Sequence, residues 1–289
     1  MKGIIALDID GTVTAKIHQI DPKVVATLEE FAAKGWQLAF ITGRTFRWGY
    51  ASLKPLKFPY YLAVQNGALC LKMPERTTVI KHYLTDGLIP SLDDYFADKD
   101  VDYVIYSGYE DDDRCYYRPA RFSGQWLDYL KGRTEALQEN WVAVDDFDFL
   151  KGKTFASMKT FMTQEEADPA SLVLESRYHL HAPVIRDPYD SNVMVVQGID
   201  KKVSKGYVVR ELRQIMGKDL PVIAAGDDLN DLPLLQAADI KIAMGSAPTQ
   251  LQDIADIIAP PATELGLISA LYQARERISK EESCNKHAQ

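Results

Sequence analysis

Short runs of consecutive apolar residues that stop on polar ones alternate, over the first part of the chain, with stretches whose apolar residues recur at helical spacing. Ile4-Ile5-Ala6-Leu7 is the first such run and stops on Asp8-Ile9-Asp10-Gly11-Thr12; its length predicts a buried strand. Asp21-Pro22 predicts a helix start, with Asp as N-cap and Pro in the first helical position. Val24, Leu28, Phe31 and Ala32 then share a helical face, and Gly35 stops it. A second strand over 37–41 ends on Thr42-Gly43-Arg44, a further helix follows, and a third strand over 60–64 closes on Gln65-Asn66-Gly67. Strands alternating with helices across short loops predict a parallel sheet with right-handed crossovers, an α/β core of Rossmann-like type.

From about Thr85 the texture changes. Strands expected over 101–107 and 114–118 are not separated by regular helices, and Asp111-Asp112-Asp113 between them reads as a solvated hairpin loop. Thr163-Gln164-Glu165-Glu166 fits a capping box before a short helix. Strands follow over 178–185, carrying His179 and His181 on one face, and over 192–197. Residues 86–188 thus read as an α+β cap inserted into a core made of 1–85 and 189–289. The aromatic residues of the insert, Tyr103, Tyr106, Tyr116, Tyr117 and Trp126, read as its core and sheet surface. The alternation then returns. A helix over 204–216 puts Val208, Val209, Leu212 and Ile215 on one side, and an apolar strand over 221–225 runs into Gly226-Asp227-Asp228-Leu229-Asn230-Asp231. Two more strand–helix pairs lead to a closing helix over about 263–278 and a polar, frayed tail over 279–289.

Composition narrows the partners. A chain of 289 residues with 46% hydrophobic and 26% charged residues has the balance of a soluble globular protein. Its net charge of −8, without a block of Lys and Arg, argues against nucleic acid and anionic membranes. It leaves room for a small anionic substrate held by a few local cations. Cys70, Cys115 and Cys284 lack metal-type spacing and leave an odd thiol in any pairing, which fits a reducing cytoplasm. No apolar stretch is long enough to span a bilayer, and Asp8 interrupts the first run too early for a secretory signal.

The chemistry lies where strands end. Alternation along the first strand puts Asp8 and Asp10 on one face at its carboxyl end, the edge where open α/β sheets bind ligands. Two carboxylates about 4 Å apart repel by roughly 4 kcal/mol at an effective dielectric near 20. A cation between them, a shared proton or a pair that splays apart would each relieve that repulsion. Thr42 ends the second strand, Asp227 to Asp231 follow a distant one, and Lys205 opens a helix. Carboxylates, a hydroxyl and a lysine gathered at one edge are what a divalent cation and a phosphate need.

On Asp8-Ile9-Asp10-Gly11-Thr12, Ile41-Thr42-Gly43-Arg44, Ser204-Lys205-Gly206 and Gly226-Asp227-Asp228-Leu229-Asn230-Asp231 the chain resembles the haloacid dehalogenase superfamily of phosphohydrolases, in particular its Cof-type group with a large cap. Asn66-Gly67-Ala68 and Ala243-Met244-Gly245 resemble that group too, whereas Ser246 and Pro260-Pro261-Ala262-Thr263-Glu264 depart from its asparagine-containing pattern.

The resemblance implies a Mg²⁺-dependent phosphatase for a small phosphorylated metabolite, a sugar phosphate foremost, with the cap as a lid that sets specificity. Asp8 would be the nucleophile that forms an aspartyl-phosphate, and Asp10 the general acid and base. Asp8, the Asp10 carbonyl, Asp227 and Asp231 would hold the metal. Ile9, Thr42, Gly43, Lys205 and Asn230 would hold the phosphoryl group, with Asn230 alternatively steadying Lys205. Asp228 is expected beside the site rather than as a ligand. Lys201 and Lys202 make an exposed basic cluster the competing reading for Lys205, and Arg44 reads as a surface helix residue or one facing the cap. A phosphomutase keeps the same aspartyl-phosphate and is the nearest alternative. A phospho-accepting signalling module or a metabolite-binding protein represents other classes. A dinucleotide enzyme is disfavoured, because no Gly-x-Gly-x-x-Gly follows the first strand.

Overall fold

The structure is a computed structural model that describes residues 1–16 and 19–287, with side chains described through Lys280. Two compact units emerge: Met1–Gly43, Gly49–Ile80 and Ser204–Gln289 form the first, and Arg44–Trp48 with Lys81–Val203 the second. In chain order the elements are β1 (Gly3–Leu7), α1 (Pro22–Ala33), β2 (Trp36–Ile41), α2 (Phe46–Leu53), β3 (Tyr60–Val64), β4 (Leu69–Met73) and β5 (Thr77–Lys81). There follow β6 (Leu84–Thr85), α3 (Ile89–Phe96), β7 (Tyr103–Tyr106), β8 (Cys115–Tyr117), α4 (Gly124–Leu137), β9 (Trp141–Ala143) and β10 (Thr154–Phe155). Next come β11 (Ser157–Met162), α5 (Gln164–Tyr178), β12 (Leu180–His181), β13 (Val184–Arg186) and β14 (Met194–Asp200). The chain closes with α6 (Lys205–Met216), β15 (Val222–Gly226), α7 (Leu232–Gln236), β16 (Ile240–Met244), α8 (Thr249–Gln252), β17 (Ile257–Ala259) and α9 (Gly266–His287).

The sheet of the first unit runs β17-β16-β15-β1-β2-β3-β4-β5. From β17 to β3 every neighbour is parallel, as the βα alternation predicts, and β4 adds antiparallel to β3. β1 is central, with Ile4 opposite Val222 on one side and Gln37 on the other. Both of its faces are covered, so all its residues are buried and apolar alternation is lost. Ile4 and Ala6 share a core with Val208, Val209 and Leu212 of α6 and with Leu234 and Leu235 of α7. Full burial of each such aliphatic side chain stabilises the unit by about 1.5–3 kcal/mol. Around Phe31 of α1, the rings of Trp36 and Tyr272 lie 6.2 and 5.5 Å away. Asp21 caps α1 by accepting from the Lys23 amide at 2.8 Å, as its sequence signature predicts.

Two expectations for this unit change. Ile215, placed on the buried side of α6, is 56% exposed, because it sits in the last turn before Gly217 and Met216 packs against the core instead. The closing helix starts later and runs to His287, through most of the tail expected to fray; Ala288 and Gln289 lie outside the described residues.

The second unit is built on a sheet in the order β12-β14-β11-β7-β8-β9, with β13 also on β14 and a separate β6–β10 pair. β14 pairs antiparallel with β11, Met158 opposite Gly198. The strand over 192–197 therefore belongs to this unit, which ends at Val203 rather than 188 and begins at Lys81 rather than 86. Its core joins Leu92, Phe96, Tyr103, Ile105, Met158, Phe161, Leu174 and Val196. Tyr106 and Tyr116 are in that core, with Tyr117 and Trp126 packed against it. The Thr163–Glu166 capping box starts α5, which is longer than the short helix expected and ends on His179 in a left-handed conformation (φ 55°). His179 is thus a helix cap and not a strand residue, while His181 lies in β12, 3.4 Å from Glu175.

Regular helices do occur in the insert. α3 precedes β7, and α4 separates β8 from β9. The apolar pattern hides α4 because one of its buried positions is Arg133, bonded to Glu139 and, at 3.1 Å, to Asp187. Nor is the acidic loop simply solvated: Asp113 is 6% exposed, and its carboxylate accepts the Arg47 amide at 2.6 Å.

Candidate active site

At the carboxyl edge of the first unit's sheet, Asp8 continues the β1 ladder by donating its amide to the Ala225 carbonyl at 3.0 Å. The chain then folds back on itself. The Ile9 carbonyl accepts from the amides of Val13 and Thr14 (3.0 and 2.9 Å) and from the Thr14 hydroxyl (3.0 Å). This closed turn leaves Asp10 half-buried beside the strand end and requires Gly11 in a left-handed conformation (φ 68°). A Cβ on Gly11 would lie 1.9 Å from Oδ2 of Asp227, so the glycine makes room for that carboxylate. Thr12 donates to the other oxygen of Asp227 at 3.3 Å.

Lys205 opens α6, whose cap Ser204 accepts the Tyr207 amide at 3.1 Å. Its ammonium is 2% exposed and lies 2.5 Å from Oδ1 of both Asp8 and Asp231. Lys201 and Lys202 are exposed, so position 205 is set apart from that basic cluster. The second oxygen of Asp231 accepts the amides of Asp227 and Asp228 at 2.9 and 3.1 Å. Asp231 therefore fixes both the lysine and the turn that carries Asp227. Asp228 caps this turn by accepting the Leu229 amide at 2.7 Å.

Thr42 ends β2, buried, with its amide on the Ala63 carbonyl (2.9 Å) and its carbonyl on the Asn66 amide (2.8 Å). The following Gly43 is half-buried. Asn230 donates to Oδ1 of Asn66 at 3.4 Å. Asn66, whose sequence reading is only as part of a resembling motif, has its left-handed backbone (φ 54°) tied to Thr42 and its side-chain amide to Asn230. The signal available in the sequence was the strand-ending Gln-Asn-Gly, a triplet tolerant of positive φ. Arg44, by contrast, is buried, with its guanidinium 4.4 Å over the Trp48 ring.

One oxygen each of Asp8, Asp227 and Asp231 lies within 4.8 Å of the others. Burial, reinforced by the Asp231 and Asp10 charges, outweighs Lys205 and pushes the Asp8 carboxyl up to about 8. Burial together with Asp8 and Asp231 pushes Asp227 up to about 9. Burial alone would discharge Lys205, yet Asp231 and Asp8 outweigh it and hold the ammonium charged. One buried cation thus faces three gathered carboxyl groups, two of them driven toward their neutral form, and all of them hard oxygen donors that a divalent cation would draw into the charged form. That donor set, with no Cβ on Gly11 to crowd Asp227, is one that could hold a divalent metal ion.

The family model for haloacid dehalogenase-like hydrolases matches residues 5–271. Phosphatase YwpJ of Bacillus subtilis is 24% identical over 295 aligned positions, covering 91% of this chain and 96% of that protein. Among solved structures, a haloacid dehalogenase-like hydrolase from Bacteroides thetaiotaomicron shares the fold with a TM-score of 0.74 at 19% identity, covering 95% of this chain and all of that one. The subclass IIB sugar phosphatase BT4131 does so with a TM-score of 0.74 at 21% identity, covering 94% and 98%. No helix among the described residues is long and apolar enough to cross a membrane.

Proposed function

The chain belongs to the haloacid dehalogenase-like hydrolases and is a phosphatase of that family, and on that premise we propose that it hydrolyses the phosphomonoester of a small metabolite, a sugar phosphate foremost, through an aspartyl-phosphate on Asp8. The observation that carries this reading is the single buried cluster in which Lys205 bridges Asp8 and Asp231 while Asp227 stands within ligand distance of both. That the structurally similar BT4131 is a sugar phosphatase supports the substrate class.

Asp8, the Asp10 carbonyl and Asp227 would hold Mg²⁺. Both oxygens of Asp231 are already engaged, which supports an orienting role for it. When bound, the metal offsets the repulsion between a carboxylate nucleophile and a phosphate dianion. A carboxylate oxygen of Asp8 attacks phosphorus and forms a P–O bond as the ester P–O bond breaks. Asp10 gives its proton to the leaving oxygen. Asp10 then takes a proton from water as the water oxygen bonds to phosphorus, and the bond to Asp8 breaks to release phosphate. The Ile9 and Gly43 amides, the Thr42 hydroxyl and Lys205 hold the phosphoryl oxygens as charge shifts between them, and Asn230 braces Asn66 beside Thr42. The second unit, with its own sheet and core, selects the leaving group and acts as a lid. Cys70 and Cys115 are free and buried, which supports work in the reducing cytoplasm.

Phosphate release from p-nitrophenyl phosphate and a panel of sugar phosphates, with Mg²⁺ and then with EDTA, tests the proposal. Metal-dependent release that disappears in Asp8→Asn is expected. An isomerised sugar phosphate without free phosphate would instead identify a mutase, and release undiminished in Asp8→Asn would end the reading.

A further inference from the structure

Gly206 is buried in the first turn of α6, next to Lys205, and a Cβ there would lie 2.0 Å from the Pro233 carbonyl oxygen and 2.7 Å from its carbon. Pro233 stands in the first turn of α7, two residues after Asp231. The obstacle is backbone, so no side chain can turn aside to admit a methyl group. Helix propensity argues the other way: alanine is the better helix former, and a glycine inside a helix is unfavourable unless a neighbour needs the space. Here that neighbour is the α7 carbonyl.

Both helices are held from other sides. The Ser204 hydroxyl accepts the Tyr207 amide at 3.1 Å and fixes the start of α6. Val208, Val209 and Leu212 of α6 share one core with Leu234 and Leu235 of α7 and with Ile4 and Ala6 of β1. α7 follows the Asp228–Asp231 turn without a break, and Asp231 is seated against Gly226, where a Cβ would lie 2.5 Å from its own. Ordinary van der Waals contact begins at 3.4 Å, against the 2.0 Å available at Gly206, so a methyl group there would have to open the helices by roughly 1.4 Å. The packed face of α6 resists a rigid shift, which leaves its first turn, with Lys205, to take up the movement. Lys205 reaches Asp8 and Asp231 at 2.5 Å each, and a displacement of that size takes such contacts past hydrogen-bond distance.

We propose that Gly206 is a positioning residue for Lys205: having no side chain, it lets the first turn of α6 abut the Pro233 carbonyl, and that approach sets the ammonium between Asp8 and Asp231. The proposal rests on the reading of Lys205 as a holder of the phosphoryl group. Gly206 touches no substrate; it acts through its neighbour.

Urea midpoints in EDTA test it without any activity. Gly206→Ala should lower the midpoint, whereas the same change at a helix glycine with open space around it raises stability. The decisive arm is a double-mutant cycle. Lys205→Met lowers the midpoint of the parent, and in a Gly206→Ala background it should lower it by less than about a third as much, because the ammonium has already left its carboxyl groups. Turnover of p-nitrophenyl phosphate with Mg²⁺ by Gly206→Ala should show kcat down about 100-fold, the scale of a misplacement of about 1 Å. A raised midpoint, additive losses in the cycle, or kcat within about threefold of the parent overturns the proposal. If Gly206→Ala does not fold in EDTA, the cycle is read in trimethylamine N-oxide, which favours the compact state. If the unaltered protein releases no phosphate, the phosphatase reading fails, and the stability cycle still decides whether Gly206 sets Lys205.

Discussion

Replacing Lys205 by Met removes the ammonium paired with Asp8 while keeping the length of the side chain. The ammonium lies 2.5 Å from a carboxyl oxygen of Asp8 and of Asp231, and such a contact with an ionised carboxylate is worth about 7 kcal/mol in Coulomb energy at an effective dielectric near 20. Desolvation of the buried lysine cancels much of that sum, and breaking a buried pair by removing one member costs about 3–5 kcal/mol. The metal-free protein should therefore lose about 3–5 kcal/mol at neutral pH, read as a lower urea midpoint in EDTA. The pH dependence gives an independent check. The Asp8 and Asp227 carboxyls titrate near 8 and 9 in the folded protein, against about 3.9 when unfolded. Between those limits the folded state binds more protons, so their contribution to stability falls as pH rises, and losing the ammonium, which pushes both carboxyls further up, extends that fall above pH 8 in the variant. The gap between parent and Lys205→Met should widen as pH rises above 8, and Mg²⁺ should restore part of it. A variant as stable as the parent at pH 8 without metal would refute the view that Lys205 neutralises this cluster.

Asp8→Asn should lower phosphate release by more than about 10³-fold, in line with losses of other catalytic nucleophiles, while circular dichroism stays unchanged. Gly11→Ala forces a Cβ onto Oδ2 of Asp227 at positive φ; Mg²⁺ affinity by calorimetry should fall about 10–100-fold, the scale seen when ligand supports are disturbed. Burial, reinforced by Arg133 and opposed by Glu139, pulls buried Lys159 of β11 down to about 8. The unfolded chain binds more protons between pH 8 and 10.5, so this group's contribution to stability is lowest below pH 8 and recovers as pH rises through that window. Lys159→Met should accordingly raise the urea midpoint at pH 7 by the equivalent of about 1–3 kcal/mol, a gain that shrinks by pH 10; no gain at pH 7 would mean the buried ammonium is fully compensated.

What the sequence discloses follows how locally each feature is encoded. β1, β2, β3 and β15 are legible because both their faces are buried, so the strand itself is an apolar word ending in the site residues. Asp21 and Thr163 announce helix starts because a cap needs only its next few residues. α4 is not legible, since its buried Arg133 is satisfied by Glu139 and Asp187 from elsewhere in the chain. The boundary of the second unit is missed for a similar reason: β14 is as apolar as a core strand, and only its pairing with β11 assigns it. In the site, the residue types and strand ends were readable, but not that Asp231 spends both oxygens on Lys205 and two amides. Asp113 looked like one of three solvated carboxylates because its partner, a main-chain amide, has no sequence signature.

β1 meets its two neighbours at very different moments in the life of the chain. Its partner β2 is made soon after it, whereas Val222, opposite Ile4 on the other side, arrives only after the entire second unit has been synthesised. During translation, the nearly contiguous Lys81–Val203 can collapse around its own core while the centre of the first sheet still waits, with one edge of Gly-Ile-Ile-Ala-Leu unpaired. An open apolar edge of this kind templates association with other chains, and the distant pairing that closes it makes refolding slow. Nascent chains stalled before β15 are therefore the form of this protein most in need of a chaperone.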